Sequence, residues 1–400
     1  MSRFLSVISV DGAIQVIRQI ARPSSREKIP LSDAYGRVIA EDICSDVDIP
    51  GFDRSTVDGY AVHSSDTTGA GDAIPSMLTL TGRIAMGENL QEMVLSGSCV
   101  YIPTGGSLPS GADAVVMIEY SEQLGDQILI NRPVAPGENV ISRGEDFGSD
   151  RVAIHAGTKI SSRVAGVLAA CGVGTVPVSS RPRIAILSTG NELVSVESIP
   201  VGGQIRDVNT WLCAGFVTEQ GGIPVIYGII QDDAESLTKT LDEAISTCDA
   251  ILISGGSSKG DRDMCADIIG SRGKVLIHGI AISPGKPTII GIAQGKPIIG
   301  LPGHPASAYV ILLVLVKELL KGMNGGIENE IHIFAPLMTP VHSTQGREDY
   351  VRAVFKGEYV EPVLGRSGLT NTLLQSDGVI RIPASVEGYE AGDTVEVILW

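Results

Sequence analysis

The chain has 400 residues, 43% of them apolar and 19% charged, which suits a soluble protein of roughly two to four domains. A net charge of −16 and an aromatic share of 4% argue against nucleic-acid binding, which draws on basic patches and stacking rings. The six cysteines are scattered without a C-x-x-C pair, so buried free thiols in a reducing cytosol fit better than a zinc or disulfide framework.

The N-terminal segment carries no apolar stretch of signal-peptide length, which predicts a cytoplasmic protein. Ser9-Val10-Asp11 starts an amphipathic helix with Ala13, Ile14, Val16, Ile17 and Ile20 on one face. A second helix is predicted from Pro30-Leu31-Ser32-Asp33 through Ala40 and Ile43. The stretch from Asp48 to Val62 is dense in polar groups and turn residues, with Asp58-Gly59 a turn signal. Short strands are then predicted at Leu78–Ile84, Ser98–Ile102, Ala114–Ile118 and Ile128–Ile130, between Gly/Pro loops. They suit a small β-barrel or sandwich inserted into a helical domain. Arg143-Gly144-Glu145-Asp146 leads back to a predicted helix at Ser161–Cys171.

Residues 183–323 alternate strand with helix. Strands are predicted at Ile184–Leu187, Pro224–Ile230, Ala250–Ile253, Val275–Ile282, Thr288–Ile292 and Pro297–Ile299. Helices are predicted at Thr210–Gln220, Asp233–Thr247, Arg262–Ser271 and His304–Lys321. The greasiest run, Ala308 to Val316, is far shorter than a membrane span and is closed by Lys317. This reads as an α/β domain with a mostly parallel sheet. From about Ile331 the chain is strand-rich, with alternation at Tyr350–Phe355, Val379–Ile382 and Thr394–Leu399, and reads as a small β-domain.

Polar, Gly/Pro-rich loops follow the predicted α/β strands. They are Ser188-Thr189-Gly190-Asn191-Glu192, Gln231-Asp232-Asp233, Gly255-Gly256-Ser257-Ser258-Lys259-Gly260 running on to Asp263, Ser283-Pro284-Gly285-Lys286-Pro287, and Gly300-Leu301-Pro302-Gly303-His304-Pro305. Each alone is also what a ligand-free turn looks like. In an open parallel sheet, however, the ligand crevice lies beyond the carboxyl ends of the strands, so all five converge on one rim. The third loop combines close-approach glycines with a helix start, the makings of an anion site. Its spacing matches neither G-x-x-x-x-G-K-[ST] nor G-x-G-x-x-G. Glycine backbone with Lys259 and Lys286 suits phosphate or another oxyanion. Glu192, Asp232 and Asp263 would repel such a ligand unless a divalent cation stood between, and an oxygen-only set suits Mg²⁺. No Ser-His-Asp or Cys-His nucleophile stands out, and His304 reads as a helix-start residue, with a general acid or base role the less favoured alternative. The residues alone point to a phosphate-ester or nucleotide-like ligand and Mg²⁺-assisted chemistry, with the substrate open.

Several long motifs, in one order, carry a family resemblance: Pro50–Val62, Pro103–Val116, Arg143–Asp146, Ser188–Leu193, Ser254–Asp263, Pro284–Pro287, Leu301–Ala308 and Gly346–Arg352. Over nearly its whole length the chain resembles the molybdopterin molybdenumtransferases, the MoeA proteins, and the related E domain of gephyrin. The resemblance implies a multidomain α/β plus β fold. Its parts would be a helical linker and dimerisation domain (1–46 and 140–180), an inserted small β-domain (47–139), a parallel-sheet α/β molybdopterin-binding domain (181–325) and a C-terminal β-barrel (326–400). It also implies a homodimer whose cleft takes residues from both subunits, and the molybdopterin adenylyltransferase as a further partner. The implied reaction inserts molybdate or tungstate into adenylylated molybdopterin, with Mg²⁺-dependent cleavage of the phosphoanhydride and release of AMP.

Carried over position by position, the resemblance implies active roles for Asp58, Asp146, Glu192, Asp232 and Asp263. Glu192 and Asp263 would hold Mg²⁺ or position the pyrophosphate, and Asp58 would act on the partner subunit's side of the cleft. Thr104 matches a functional hydroxyl. Ser188, Thr189, Gly190 and the loop Gly255, Gly256, Ser257, Ser258, Lys259, Gly260 would bind substrate, as would Pro284, Gly285 and Gly303. Lys286 would contact molybdate or phosphate, Pro302 and Pro305 would shape the rim, and Arg347 and Ser367 would hold molybdate. Three positions depart from the family pattern: Ser283 where relatives carry a second lysine, Asn191 where Asp is common, and His304 in place of a frequent Asn. Lys259 would compensate for the first. Two rival readings keep much of the same fold: a non-catalytic scaffold, and an adenylyltransferase or nucleotide-pyrophosphatase type of enzyme.

Overall fold

The strand Arg183–Thr189 is buried from Ile184 onward and sorts its side chains by parity. Ile184 and Ile186 enter one apolar core, and Ala185 and Leu187 enter another on the opposite face of the sheet, as the two-residue period of a strand requires. In this computed structural model, which describes residues 7–88, 93–255, 261–327 and 331–400 (backbone only at 261–263), that strand lies inside a six-stranded sheet. The order is Ile223–Ile230, Arg183–Thr189, Ala250–Gly255, Lys296–Leu301, Ile289–Ala293, Gly273–His278. The first three pairings are parallel and the last two antiparallel, so the sheet is mixed, with its strands running mostly one way and Ile289–Ala293 reversed.

Helices cover both faces. Asn209–Glu219 and the long C-terminal helix pack on the face of Ile184, while Ala234–Thr247 and Asp261–Arg272 pack on that of Leu187. In Ala234–Thr247, Leu237, Leu241, Ala244 and Ile245 form the buried stripe, and Asp233 caps the start by accepting the Ser236 N–H at 2.8 Å. The last helix runs Pro305–Ile311, passes through a π-helical stretch at Leu312–Val316, and continues as Lys317–Asn324. All of Leu312–Val316 is buried, the placement expected of a helix apolar on every side. Among the described residues no helix is long and apolar enough to cross a membrane.

The helix Val10–Ile20 forms as expected, with Ser9 Oγ accepting the Gly12 N–H. Its face of Val10, Ala13, Ile17 and Ile20 is buried in the α/β core with Leu319 and Leu320. The second predicted helix is not found. Arg26–Pro30 instead pairs antiparallel with Thr175–Ser179, only Leu31–Asp33 makes a 3₁₀ turn, and Ile43–Cys44 pairs with Val152–Ile154. Gly36 at φ +76° breaks any helix there, and the β-branched residues beyond it fit extended pairing. Ser162–Ala170 is helical. Cys44 is exposed, against the expectation of buried thiols, while the other five cysteines are buried. Burial pushes the Cys213 thiol up to about 12.

The inserted β-region holds a six-stranded sheet whose Gly59–Val62 strand was read from sequence as a turn. That strand lies between Ala114–Met117 and Ser98–Ile102. A Cβ on Gly59 would sit 1.9 Å from the Val116 carbonyl oxygen, so the Asp-Gly pair serves close strand approach. In the C-terminal part, Glu348–Lys356, Gly378–Ile382, Thr394–Leu399 and Ile333–Pro336 pair in sequence, with Tyr359–Pro362 on the other side of Glu348–Lys356. A bridge between Leu337 and Val360 links the two ends of this half-barrel. The predicted strand Val275–Ile282 ends at His278, and Ile282–Ser283 instead pairs with Glu348–Lys356, tying the α/β region to the C-terminal sheet.

Candidate active site

Four strands of the α/β sheet, Arg183–Thr189, Ile223–Ile230, Ala250–Gly255 and Lys296–Leu301, end at one rim. Ile289–Ala293 runs the other way, so its start lies there and the 283–287 loop reaches the same side. The chain leaves the neighbouring strands Arg183–Thr189 and Ala250–Gly255 toward helices on opposite faces. Such a switch point opens a crevice. Here it is a cavity of about 560 Å³, lined by Thr189 and Glu192, the 204–209 segment, Ser254 and Gly255, Gly303 to Pro305, and Gly368 and Thr370.

Backbone approach shapes its floor. Gly255 has φ +128°, and a Cβ there would lie 2.0 Å from the Thr189 carbonyl oxygen, so only glycine fits. The Glu192 carboxylate folds over Gly190, both oxygens 2.9 Å from where a Cβ would stand. No described residue pairs with that carboxylate, which stands exposed at the cavity.

The wall is a buried polar network. Asp207 accepts from Ser188 Oγ at 3.1 Å, Thr210 N at 3.1 Å and Thr210 Oγ1 at 2.6 Å. Asn209 Nδ2 donates to Ser254 Oγ at 2.7 Å and to the Gly303 carbonyl at 2.8 Å, clamping the loops after two strands. Its Oδ1 is buried without a hydrogen-bond partner, a cost that a ligand donor would relieve. The sequence reading missed Asp207, Asn209 and Thr210. The available signal was Asp-x-Asn-Thr at the opening of an apolar helix, a start signature.

Ser188 is thus a wall residue, and Thr189, Gly255, Gly303 and Pro305 line the cavity. Pro302 is buried beside it. Asn191 and Asp232 join two loops: Asn191 N donates to Asp232 Oδ2 at 3.1 Å, and Asp232 N donates to Asn191 Oδ1 at 3.4 Å. His304 is the helix N-cap residue without a side-chain cap bond. Its Nδ1 meets Ser367 Oγ at 3.0 Å, and Ala306 N donates to the Ser367 carbonyl at 3.1 Å. A C-terminal loop therefore closes onto the rim.

Other expected residues lie outside the cavity lining. Lys286 is exposed, with its carbonyl accepting from Ile280 N. Asp58 and Thr104 come together in the β-region, where Asp58 Oδ1 accepts from Thr104 N at 2.7 Å and Oγ1 at 3.1 Å. Asp146 is exposed, its N–H donated to the Ile49 carbonyl. Arg347 pairs with Asp349 at 3.2 Å. Arg352, not singled out from sequence, is 6% exposed and donates to the Gly365 carbonyl at 2.7 Å, while its Nε has no partner. Burial lowers its pKa. Gly256, Ser257, Ser258, Lys259 and Gly260 lie outside the described residues, as does the side chain of Asp263. Among the described residues no three His, Cys, Asp or Glu side chains converge as a metal site.

The fold and this rim define a multidomain α/β protein with a crevice at a sheet switch point, onto which a C-terminal loop closes. Residues 8–172 match the MoeA N-terminal region (domain I and II), 185–322 the family described as "Probable molybdopterin binding domain", and 335–400 the MoeA C-terminal region (domain IV). The molybdopterin molybdenumtransferases of Staphylococcus aureus (strain MRSA252) and Bacillus subtilis (strain 168) are 31% and 30% identical to it, each over 98% of this chain and over 95% and 94% of their own. The crystal structure of the molybdopterin biosynthesis MoeA protein from Pyrococcus horikoshii OT3 superposes with a TM-score of 0.89 at 31% identity, covering 99% of this chain and 100% of that one. The chain belongs to the MoeA family, the molybdopterin molybdenumtransferases.

Proposed function

We propose that the chain inserts molybdate, or tungstate, into adenylylated molybdopterin and releases AMP, as a step of molybdenum cofactor biosynthesis. The observation that carries this is the rim itself: a glycine-floored crevice with an unengaged carboxylate at Glu192, closed by the Ser367 loop. Close backbone at Gly190 and Gly255 suits a pyrophosphate, and the cavity wall would supply the orienting polar groups. Glu192 and Asp263 would hold Mg²⁺, and an exposed carboxylate with no protein partner fits that donor set. When bound, the ion would neutralise charge on the phosphoanhydride as its P–O bond to AMP breaks.

The chain's own groups would do the rest. Asn209 would accept a donor from the bound substrate through Oδ1, and the Asn191–Asp232 pair would hold two rim loops in register. Lys286 and Ser367 would contact the oxyanion, with Arg347 near them. Arg352 joins this set because its buried guanidinium keeps a spare donor, whereas Arg347 is engaged by Asp349. The dithiolene sulfurs of the substrate would become the metal ligands. Asp58, Thr104 and Asp146 would complete the cleft from the partner subunit of a homodimer. Also proposed are the four-part division at 1–46 with 140–180, 47–139, 181–325 and 326–400, a cytoplasmic location, and supply of substrate by the molybdopterin adenylyltransferase.

The test is AMP release from adenylylated molybdopterin with Mg²⁺, comparing molybdate, tungstate and no oxyanion. Oxyanion-dependent release supports the transferase and shows which metal it prefers. Tight substrate binding without release points to a scaffold.

A further inference from the structure

We infer that a second cavity, remote from the rim, binds a small amphipathic anion. It measures about 470 Å³ and lies where three stretches meet, a size usual for small-molecule sites. The first stretch is 36–38 with Lys159, the second is the end of helix Lys317–Asn324 with Gln220 and Gly221, and the third is 331–333 with Ile398 and Leu399.

Its charge carries the inference. Among the described residues Arg37, Lys159, Lys317 and Lys321 line it, with Lys317 already engaged, His332 adds an imidazole ring, and none of the sixteen described lining residues is Asp or Glu. The whole chain holds 46 acidic and 30 basic residues in 400, so sixteen residues taken at random would carry about two acids and one base. The described lining is thus cationic in a protein that is acidic as a whole. Arg37 is already engaged by Glu27 and the Ser179 carbonyl, and His332 by Glu396. Lys159 and Lys321 take part in none of the ion pairs among the described residues. They are the cations that would meet the anionic head.

Both are held on ordered backbone. Lys159 bridges to Val38, and Lys321 lies in the last helical turn, where its carbonyl takes the Gly325 and Gly326 N–H groups. That capping removes a bare carbonyl that would otherwise oppose an anion at a helix C-terminus. The remaining wall is apolar: Val38, Ile333 and Ile398, with Ile331 and Leu399 exposed. Cations on one side and aliphatic surface on the other fit a carboxylate or phosphate carried on an apolar body. Because the lining comes from three distant stretches, a ligand there would bind only the folded arrangement and would raise its melting temperature.

The experiment titrates the full chain with octanoate, octyl phosphate, octanol and inorganic phosphate, followed by calorimetry and thermal melting. Octanoate or octyl phosphate, or both, should bind one per chain and raise Tm, with octanol and inorganic phosphate at least tenfold weaker. A Lys159→Glu/Lys321→Glu variant with native circular dichroism should lose the binding. If that variant does not fold, Lys159→Gln and Lys321→Gln singly should each weaken it about tenfold. Octanol binding as well as octanoate, several equivalent sites per chain, or undiminished binding by the variants would overturn the inference.

Discussion

Ser367 Oγ stands 3.0 Å from His304 Nδ1, and the same serine's carbonyl takes the Ala306 N–H at 3.1 Å. One residue of the C-terminal region thus engages both side chain and backbone of a helix start on the α/β rim. The backbone bond survives any substitution at 367, so side-chain changes probe the latch without abolishing it. His304→Ala and Ser367→Ala should each weaken binding of adenylylated molybdopterin, and the double variant should do so less than additively. A hydrogen bond of this kind couples the pair by about 0.5–1.5 kcal/mol. Strictly additive losses would show that the two side chains act separately.

Asn209 bridges Ser254 and the Gly303 carbonyl from a buried position. Asn209→Ala leaves the Gly303 carbonyl and the Ser254 hydroxyl without that donor, which costs about 1–3 kcal/mol. Thermal unfolding should shift down while circular dichroism at room temperature stays native, and substrate affinity should fall at least tenfold. Full affinity in a folded Asn209→Ala protein would remove the residue from the binding wall.

The two arginines make opposite predictions. Arg347 is held by Asp349, whereas Arg352 is buried with Nε free of partners. Arg352→Gln should raise KM for molybdate tenfold or more, and Arg347→Gln by less than about threefold. The reverse order in steady-state titrations with molybdate would return the role to Arg347.

Acid sensitivity follows from Asp233. The Ser236 backbone N–H holds its carboxyl below the ordinary value of 3.8. The folded state therefore binds this proton more weakly than the unfolded chain. The stabilisation is fully present above 3.8 and is lost as pH falls through the lower folded value. Asp233→Asn keeps a capping side chain but does not titrate, so its urea midpoint should decline less than the wild type's between pH 5 and 3. Parallel declines would exclude Asp233 as a source of the acid loss.

What could be read from sequence divides along physical lines. Ile184–Leu187 and Ala250–Ile253 were legible because strands buried on both faces are continuously apolar, and Ala234–Thr247 because its cap and stripe agree. The loops after these strands were legible as a rim for the same reason. Residues 30–43 misled because Leu31, Ala34 and Val38 sit at helical spacing, while Gly36 at positive φ and pairing across to Thr175–Ser179 decide otherwise. Gly59–Val62 hid behind a turn-like Asp-Gly whose glycine is needed for tertiary approach. Asp207 and Asn209 were missed because Asp-x-Asn-Thr marks a helix start without revealing that folding buries it, and Arg352 because no local pattern reveals its burial.

The most direct test of the account measures molybdenum in the pterin product and AMP together, in one reaction containing Mg²⁺ and molybdate. Wild-type protein should yield both in equal amounts, and Glu192→Gln and Asp263→Asn proteins with native circular dichroism should yield neither. AMP released without molybdenum transfer, or transfer undiminished in both variants, would contradict it.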